Sequence, residues 1–329
     1  MSLRIIRAGV FDTIQDTGRF GFQHIGVNPG GAMDRFSLQL ANAILGKDLD
    51  AAAFEFHFPA PQILFEKETV ICITGADFYP TINNKAIPSH HPVVVSEHSL
   101  LKFEKLQSGA RTYMSVLGDL SIDKWMKSYS TNVKAGFGGF QGRTLSRYDG
   151  VGFAFTKGID RIIKEKEFMG LPWKANEVVE NRNEIDCIIG NEWNWLDQEM
   201  QGEFQDHWYQ LTNDADRMGY RLAGPKLIPR IKEQLVSSPA SFGTIQLLPA
   251  GQLIILMADH QTTGGYPKIA HVISAHLPTL AQKKPNDVMK FRVTNLDSAE
   301  EKIQRQQKYL NEIQIACKFR MQNLLNADM

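Results

Sequence analysis

The stretch Asp259-His260-Gln261-Thr262-Thr263-Gly264-Gly265-Tyr266-Pro267-Lys268 gathers a carboxylate, an imidazole, an amide, hydroxyls and flexible backbone in one short segment. It follows Leu253-Ile254-Ile255-Leu256-Met257-Ala258, a short apolar run of strand formers, so its polar groups are expected at the end of a rigid strand. A loop so placed could hold a small polar substrate. Asp259 could orient His260 or take a proton itself, His260 is the natural proton carrier near neutral pH, and Gln261, Thr262 and Thr263 could hydrogen-bond an amide and a carboxylate. Asp259, His260 and Thr263 are therefore the catalytic candidates, with Gly264 and Gly265 supplying flexible backbone and Tyr266 shaping the wall. The same residues also read as a glycine turn with a polar rim, in which His260 only caps the strand end.

Arginines supply a second kind of chemistry. In Asp216-Arg217-Met218-Gly219-Tyr220-Arg221-Leu222, both guanidinium groups offer a planar fork to a carboxylate or phosphate, and Gly219 permits close backbone approach. The alternative for Arg217 is a salt bridge within its own domain to Asp214 or Asp216. Arg143 follows Gly138-Gly139-Phe140-Gln141-Gly142, a loop of the sort that cradles anions, although without a following Lys-Ser/Thr pair a simple turn reads as well. Asp34 joins the binding candidates, with helix capping as its other role, and Asp77 reads as a turn residue.

The elements that must position these groups are mostly strands. Val70–Thr74, Val93–Ser96, Leu100–Phe103, Thr112–Leu117, Asp186–Ile189, Thr244–Leu248 and Met289–Val293 are short runs of strand formers separated by Gly, Pro and Asn. Arg35–Leu45 is expected to be a helix, capped by Asp34 and stopped by Gly46, and another helix is expected from about Ala270 to before Pro285, crossing Pro278. After Asp297, Ser298-Ala299-Glu300-Glu301 resembles a capping box, and Ile303, Leu310, Ile313, Cys317, Met321 and Leu324 then recur at helical spacing. This amphipathic tail must pack either on its own body or on another polypeptide. Asp16-Thr17-Gly18-Arg19-Phe20-Gly21-Phe22 and Asp214-Ala215-Asp216-Arg217-Met218-Gly219-Tyr220 share Asp-x-x-Arg-x-Gly-aromatic, a faint repeat that would set Arg19 and Arg217 in equivalent places of two like domains.

Length and composition bound the rest. A chain of 329 residues with 43% hydrophobic content suits two packed domains, expected at 1–175 and 176–299 with a helical tail at 300–329. Thirty-six Lys plus Arg balance 36 Asp plus Glu, so no global positive field draws nucleic acid. Cys72, Cys187 and Cys317 lack CxxC spacing and read as buried free thiols. No histidine lies in HExxH, so no metal is expected. With no long apolar run, a cytoplasmic protein with no membrane partner is expected.

Read together, Asp16–Arg19, Gly26–Asp34, Gly75–Asp77, Ser128–Thr131, Gly138–Arg143, Asp216–Leu222, Gly243–Gln246, Asp259–Lys268 and Leu280-Ala281-Gln282 leading to Pro285 resemble the family of the C subunit of 5-oxoprolinase. These are also called KipA-type or allophanate hydrolase subunit 2-type proteins, and the family includes part of the carboxyltransferase region of urea carboxylase. The resemblance implies a mainly β fold of two cyclophilin-like β-barrel domains with a few helices and a C-terminal amphipathic helix. It also implies ATP-dependent opening of 5-oxo-L-proline to L-glutamate, performed with the B (KipI-like) and A (LamB/YcsF-like) partners of 5-oxoprolinase, and active only in that complex. An unstrained lactam is a poor electrophile, so ATP would activate its carbonyl oxygen before water attacks, and cationic donors should converge on the developing charge. Two alternatives stand beside this: carboxyl transfer from a biotin-carrying partner to a urea-like or guanidine-like acceptor, and regulation by binding a KipI-like kinase inhibitor.

Overall fold

The computed structural model describes residues 2–154, 156–163, 166–176, 183–231 and 233–326. Strands dominate, and contacts divide the described residues into one unit drawn from 1–18, 34–178 and 307–329 and another drawn from 19–33 and 179–306.

In the first unit two six-stranded sheets share a core. One sheet runs in the order Gly150–Val151, Leu3–Arg7, Gln62–Phe65, Leu100–Phe103, Pro80–Ile82, Lys85–Ala86; the other runs Phe168–Gly170, Pro92–Val95, Thr69–Asp77, Ser108–Val116, Ala53–His57, Thr13–Gln15. Alternation along Thr69–Asp77 shows why both faces of the second sheet are covered. Ile71 and Ile73 enter the core shared with Leu3, Ile63 and Phe103, whereas Val70 and Cys72 face a separate cluster with Leu40 and Ile44 of the helix Arg35–Ile44. Leu310, Cys317 and Met321 of the last helix, Leu296–Asn326, belong to that second cluster. The tail therefore packs on its own body. Its fit is close at Gly46, where φ is +71° and an added Cβ would lie 2.5 Å from the Cα of Lys318.

The second unit is a closed barrel in the order Glu184–Ile189, Lys268–Val272, Thr244–Leu247, Leu253–Leu256, Gly219–Ala223, Tyr209–Ala215, Val288–Val293. The last strand returns parallel to the first, with Ile185 opposite Phe291, so the ring has no open edge. Tyr220, Leu222, Ile245, Leu247, Leu253, Ile255 and Phe291 fill its core.

Several expectations change. Ala270–Val272 is strand, not helix, because Ala270 and Val272 join the barrel core; the helix there is only Leu277–Ala281, with Pro278 in its first turn, where no backbone N–H is needed. The last helix begins before Ser298: the Asn295 side chain accepts the Ser298 N–H at 2.9 Å and so takes the capping role. The faint repeat does not mark equivalent places. Arg19 follows the three-residue strand Thr13–Gln15 in irregular backbone, whereas Arg217 sits in the turn of a hairpin, and both belong to the second unit. The boundary expected at 175 adjoins residues 177–182, which lie outside the described residues. No helix among the described residues is long and apolar enough to cross a membrane.

Candidate ligand site on the barrel

Strand alternation decides which residues the barrel turns outward. With Tyr220, Leu222, Leu253, Ile255, Ile245 and Leu247 in the core, Gly219, Arg221, Ile254, Leu256 and Gln246 must face the other way. The register aligns three of them: Arg221 lies opposite Ile254 on one side, and Gln246 lies opposite Ile254 on the other. This row forms part of the wall of a cavity of about 550 Å³, closed by Asp214 and Asp216 at the hairpin end and by Gln261 and Tyr266 of the loop read first from the sequence. The size suits a small molecule.

Gln246 is the unusual group in the wall. Its residue is 1% exposed, and its Nε2 has no hydrogen-bond partner among the described residues. Leaving such a donor unpaired costs about 1–3 kcal/mol, which an acceptor on a ligand would recover. Gly264 makes room for it, since an added Cβ would stand 2.8 Å from Gln246 Nε2 and 3.0 Å from Gln261 Nε2. Two amide groups thus converge where a side chain is missing.

The two arginines part company. Arg217 spends its fork on Asp259, with Nε to Oδ2 at 2.8 Å and Nη2 to Oδ1 at 3.2 Å, and Nη2 also donates to the Gly31 carbonyl at 2.6 Å. Both side chains are 8% exposed. Its ion-pair partner is Asp259 and not Asp214 or Asp216; the Asp216 Oδ1 instead accepts the Met218 and Gly219 N–H groups and holds the turn. A Cβ at Gly30 would lie 3.1 Å from Arg19 Nη1 and 3.5 Å from Asp259 Oδ1, so both side chains pack against the bare backbone of Gly30. No ion pair engages Arg221 among the described residues, and its side chain lines the cavity.

The remaining candidates scatter. His260 is 2% exposed, and its Nδ1 donates to the Gln261 carbonyl at 2.6 Å, which leaves the lone pair of the neutral ring on Nε2. Thr263 and Gly264 pair with Ser238 and Pro239 in a small ribbon, the Thr262 carbonyl accepts from Ala240 at 3.0 Å, and Gly265 packs near the Leu235 carbonyl. Lys268 ties this ribbon down by donating to Ser238 and to the Gly264 carbonyl. Asp34 and Arg143 belong to the first unit. Asp34 caps its helix by accepting from Ser37 N at 2.8 Å and from the Ser37 hydroxyl. Arg143 is bidentate to Asp149 at 2.6 and 2.9 Å, and its donated hydrogen bonds hold the Asp149 carboxyl below the usual range. Among the described residues no group of His, Cys, Asp and Glu could hold a metal ion.

Gln246 was visible in the sequence only as the end of a motif. Its signal is positional: a glutamine between two core residues on a strand, which alternation turns to the outer face.

A mainly β chain with a closed barrel and a small-molecule cavity on the barrel's outer face can now be placed. The chain belongs to the family described as carboxyltransferase domain, subdomain A and B, whose model matches residues 25–293. It is 33% identical to the C subunit of 5-oxoprolinase from Escherichia coli over 94% of this chain and 97% of that protein. It is 31% identical to urea amidolyase of Saccharomyces cerevisiae over 91% of this chain but 17% of that one. The structure of Kluyveromyces lactis urea carboxylase shares its fold, with a TM-score of 0.84 at 24% identity, over 95% of this chain and 29% of that one.

Proposed function

We propose that this chain is the C subunit of an ATP-dependent 5-oxoprolinase, a hydrolase that opens the cyclic amide 5-oxo-L-proline to L-glutamate together with the B (KipI-like) and A (LamB/YcsF-like) partners. The observation that carries the reading is the match to the 5-oxoprolinase protein of Escherichia coli along nearly the whole length of both chains. The match to urea amidolyase covers a small fraction of that protein.

In this reading the barrel cavity receives the lactam. Arg221 takes the carboxylate, and Gln261 and Tyr266 close the loop side. His260 does not line the cavity and stands next to Gln261 in the chain, Asp259 fixes the segment through Arg217, and Thr263 tethers the ribbon beside it. ATP, when bound in the assembly, supplies the phosphoryl activation that makes the lactam carbonyl electrophilic. The cavity does not suit ATP itself. One guanidinium there is set against the carboxylates of Asp214 and Asp216, which repel a polyphosphate.

The test is reconstitution with the KipI-like and LamB/YcsF-like partners, measuring ATP-dependent release of glutamate from 5-oxoproline. Release that needs all three proteins is the expected result; a complete assembly that releases none sinks the reading. The family description favours one second reading, carboxyl transfer to a urea-like acceptor. Incorporation of labelled bicarbonate into urea, in the presence of a biotin carboxylase and its carrier, would select it.

A further inference from the structure

From the cross-strand row on the barrel we infer that Gln246 reads a carbonyl oxygen of the ligand and that, with Arg221, it selects small molecules carrying both an amide-type carbonyl and a carboxylate. The inference rests on the proposed function and adds to it the groups that choose the substrate. Arg221 and Gln246 each lie opposite Ile254, so their backbones stand two strand spacings apart, roughly 10 Å. Their side chains face the same cavity across the apolar Ile254. A ligand with a charged acceptor at one end, an apolar middle and a neutral acceptor at the other matches that row in order.

The chemistry at each end is specific. A buried primary amide nitrogen can only donate, so it demands an acceptor, and a ligand lacking one leaves it unpaired. Arg221 demands an anion, and with no ion pair engaging it among the described residues it differs from Arg217, whose fork is filled by Asp259. Asp214 and Asp216 line the same cavity and disfavour a second negative charge on the ligand. A monocarboxylate bearing a lactam or ureido carbonyl therefore fits better than urea alone, which has no anion, or a phosphate. Gly264, lacking a side chain, leaves the space in which the Gln246 amide sits.

The full chain, labelled with ¹⁵N, is titrated with 5-oxoproline, with 2-pyrrolidinone, which keeps the lactam and lacks the carboxylate, and with proline, which keeps the carboxylate and lacks the carbonyl. The side-chain amide signal of Gln246 is assigned by its loss in Gln246→Leu. The same titration is repeated in the reconstituted assembly. 5-Oxoproline should move the Gln246 signal, 2-pyrrolidinone should move it only at about tenfold or higher concentration, and proline should leave it in place. Gln246→Glu, of equal size with the donor removed, should weaken 5-oxoproline about tenfold or more, and Arg221→Gln should erase the preference over 2-pyrrolidinone; thermal melts confirm that both variants fold. The inference is overturned if 5-oxoproline leaves the Gln246 signal unmoved in both chain and assembly, or if Gln246→Glu binds and turns over 5-oxoproline like the parent. The two readings separate: ligand-induced movement of Gln246 without glutamate release defeats the oxoprolinase assignment alone, and glutamate release with an inert Gln246 defeats this inference alone.

Discussion

Arg217 and Arg221 are four positions apart and chemically identical, yet one braces the fold and the other faces the cavity. Replacing Asp259 by Ala should strand Arg217 in a buried site and lower stability by about 3 kcal/mol or more, because breaking a buried pair leaves an uncompensated charge. Arg221→Ala, at an exposed position, should stay within about 0.5 kcal/mol of the parent. Urea denaturation of the two variants checks the contrast, and equal losses would show that Arg221 is also structural. A second residue prediction concerns Asp12, fully buried in the first unit, whose Oδ2 accepts the Gly9 N–H. Burial pushes its carboxyl up from 3.8 to about 7, only partly offset by that hydrogen bond. The folded state thus holds the proton more tightly than the unfolded chain. Its stabilising contribution is full below about 4 and is lost as pH rises to about 7. Asp12→Asn should flatten that slope in denaturation midpoints measured across the window. Sequence alone could not separate the two arginines, since the partner that distinguishes them lies 42 positions from Arg217. Nor could it show Gln246 as a donor without a partner, which depends on the Arg221–Ile254–Gln246 register and on the absent side chain of Gly264.

At the scale of elements, the short apolar runs were legible because burial imposes alternation on them, and the helix Arg35–Ile44 was legible because Asp34 caps it with the expected geometry. What failed was punctuation inside an apolar stretch. Between Ala270 and Pro285 a strand, a 3-10 turn and a short helix follow one another, and only the barrel's demand for Ala270 and Val272 separates them. The last helix was legible in its spacing, but its docking face was not, since the stripe of Leu310, Cys317 and Met321 would serve a partner protein equally well. Gly46→Ala tests that docking. The added methyl meets the Lys318 backbone and the backbone holds a left-handed conformation, so a loss of roughly 1–3 kcal/mol is expected. Amide exchange should rise along residues 310–325 ahead of the sheet beneath. Unchanged protection there would show that the helix is held elsewhere.

For the whole molecule, the two units exchange segments: residues 19–33 count with the second half of the chain, and residues 307–326 count with the first. A polypeptide of residues 183–306 expressed alone therefore lacks the Gly31 carbonyl that Arg217 uses, and should be less stable than the same polypeptide supplied with a 19–33 peptide in trans. A melting temperature that does not respond to the peptide would count against the exchange as a source of stability.

The contribution of Leu310, Cys317 and Met321 of the last helix to the cluster of Val70, Cys72 and Val94 also sets a timetable for biosynthesis. Domains usually fold as units in the order they leave the ribosome. Here the helix Arg35–Ile44 can cover much of that cluster early, but the part that Leu310, Cys317 and Met321 complete stays exposed until residues 307–326 have been translated. Holdase chaperones that recognise such surfaces should accompany the nascent chain until the last helix has emerged, and slowing elongation should lower the soluble yield.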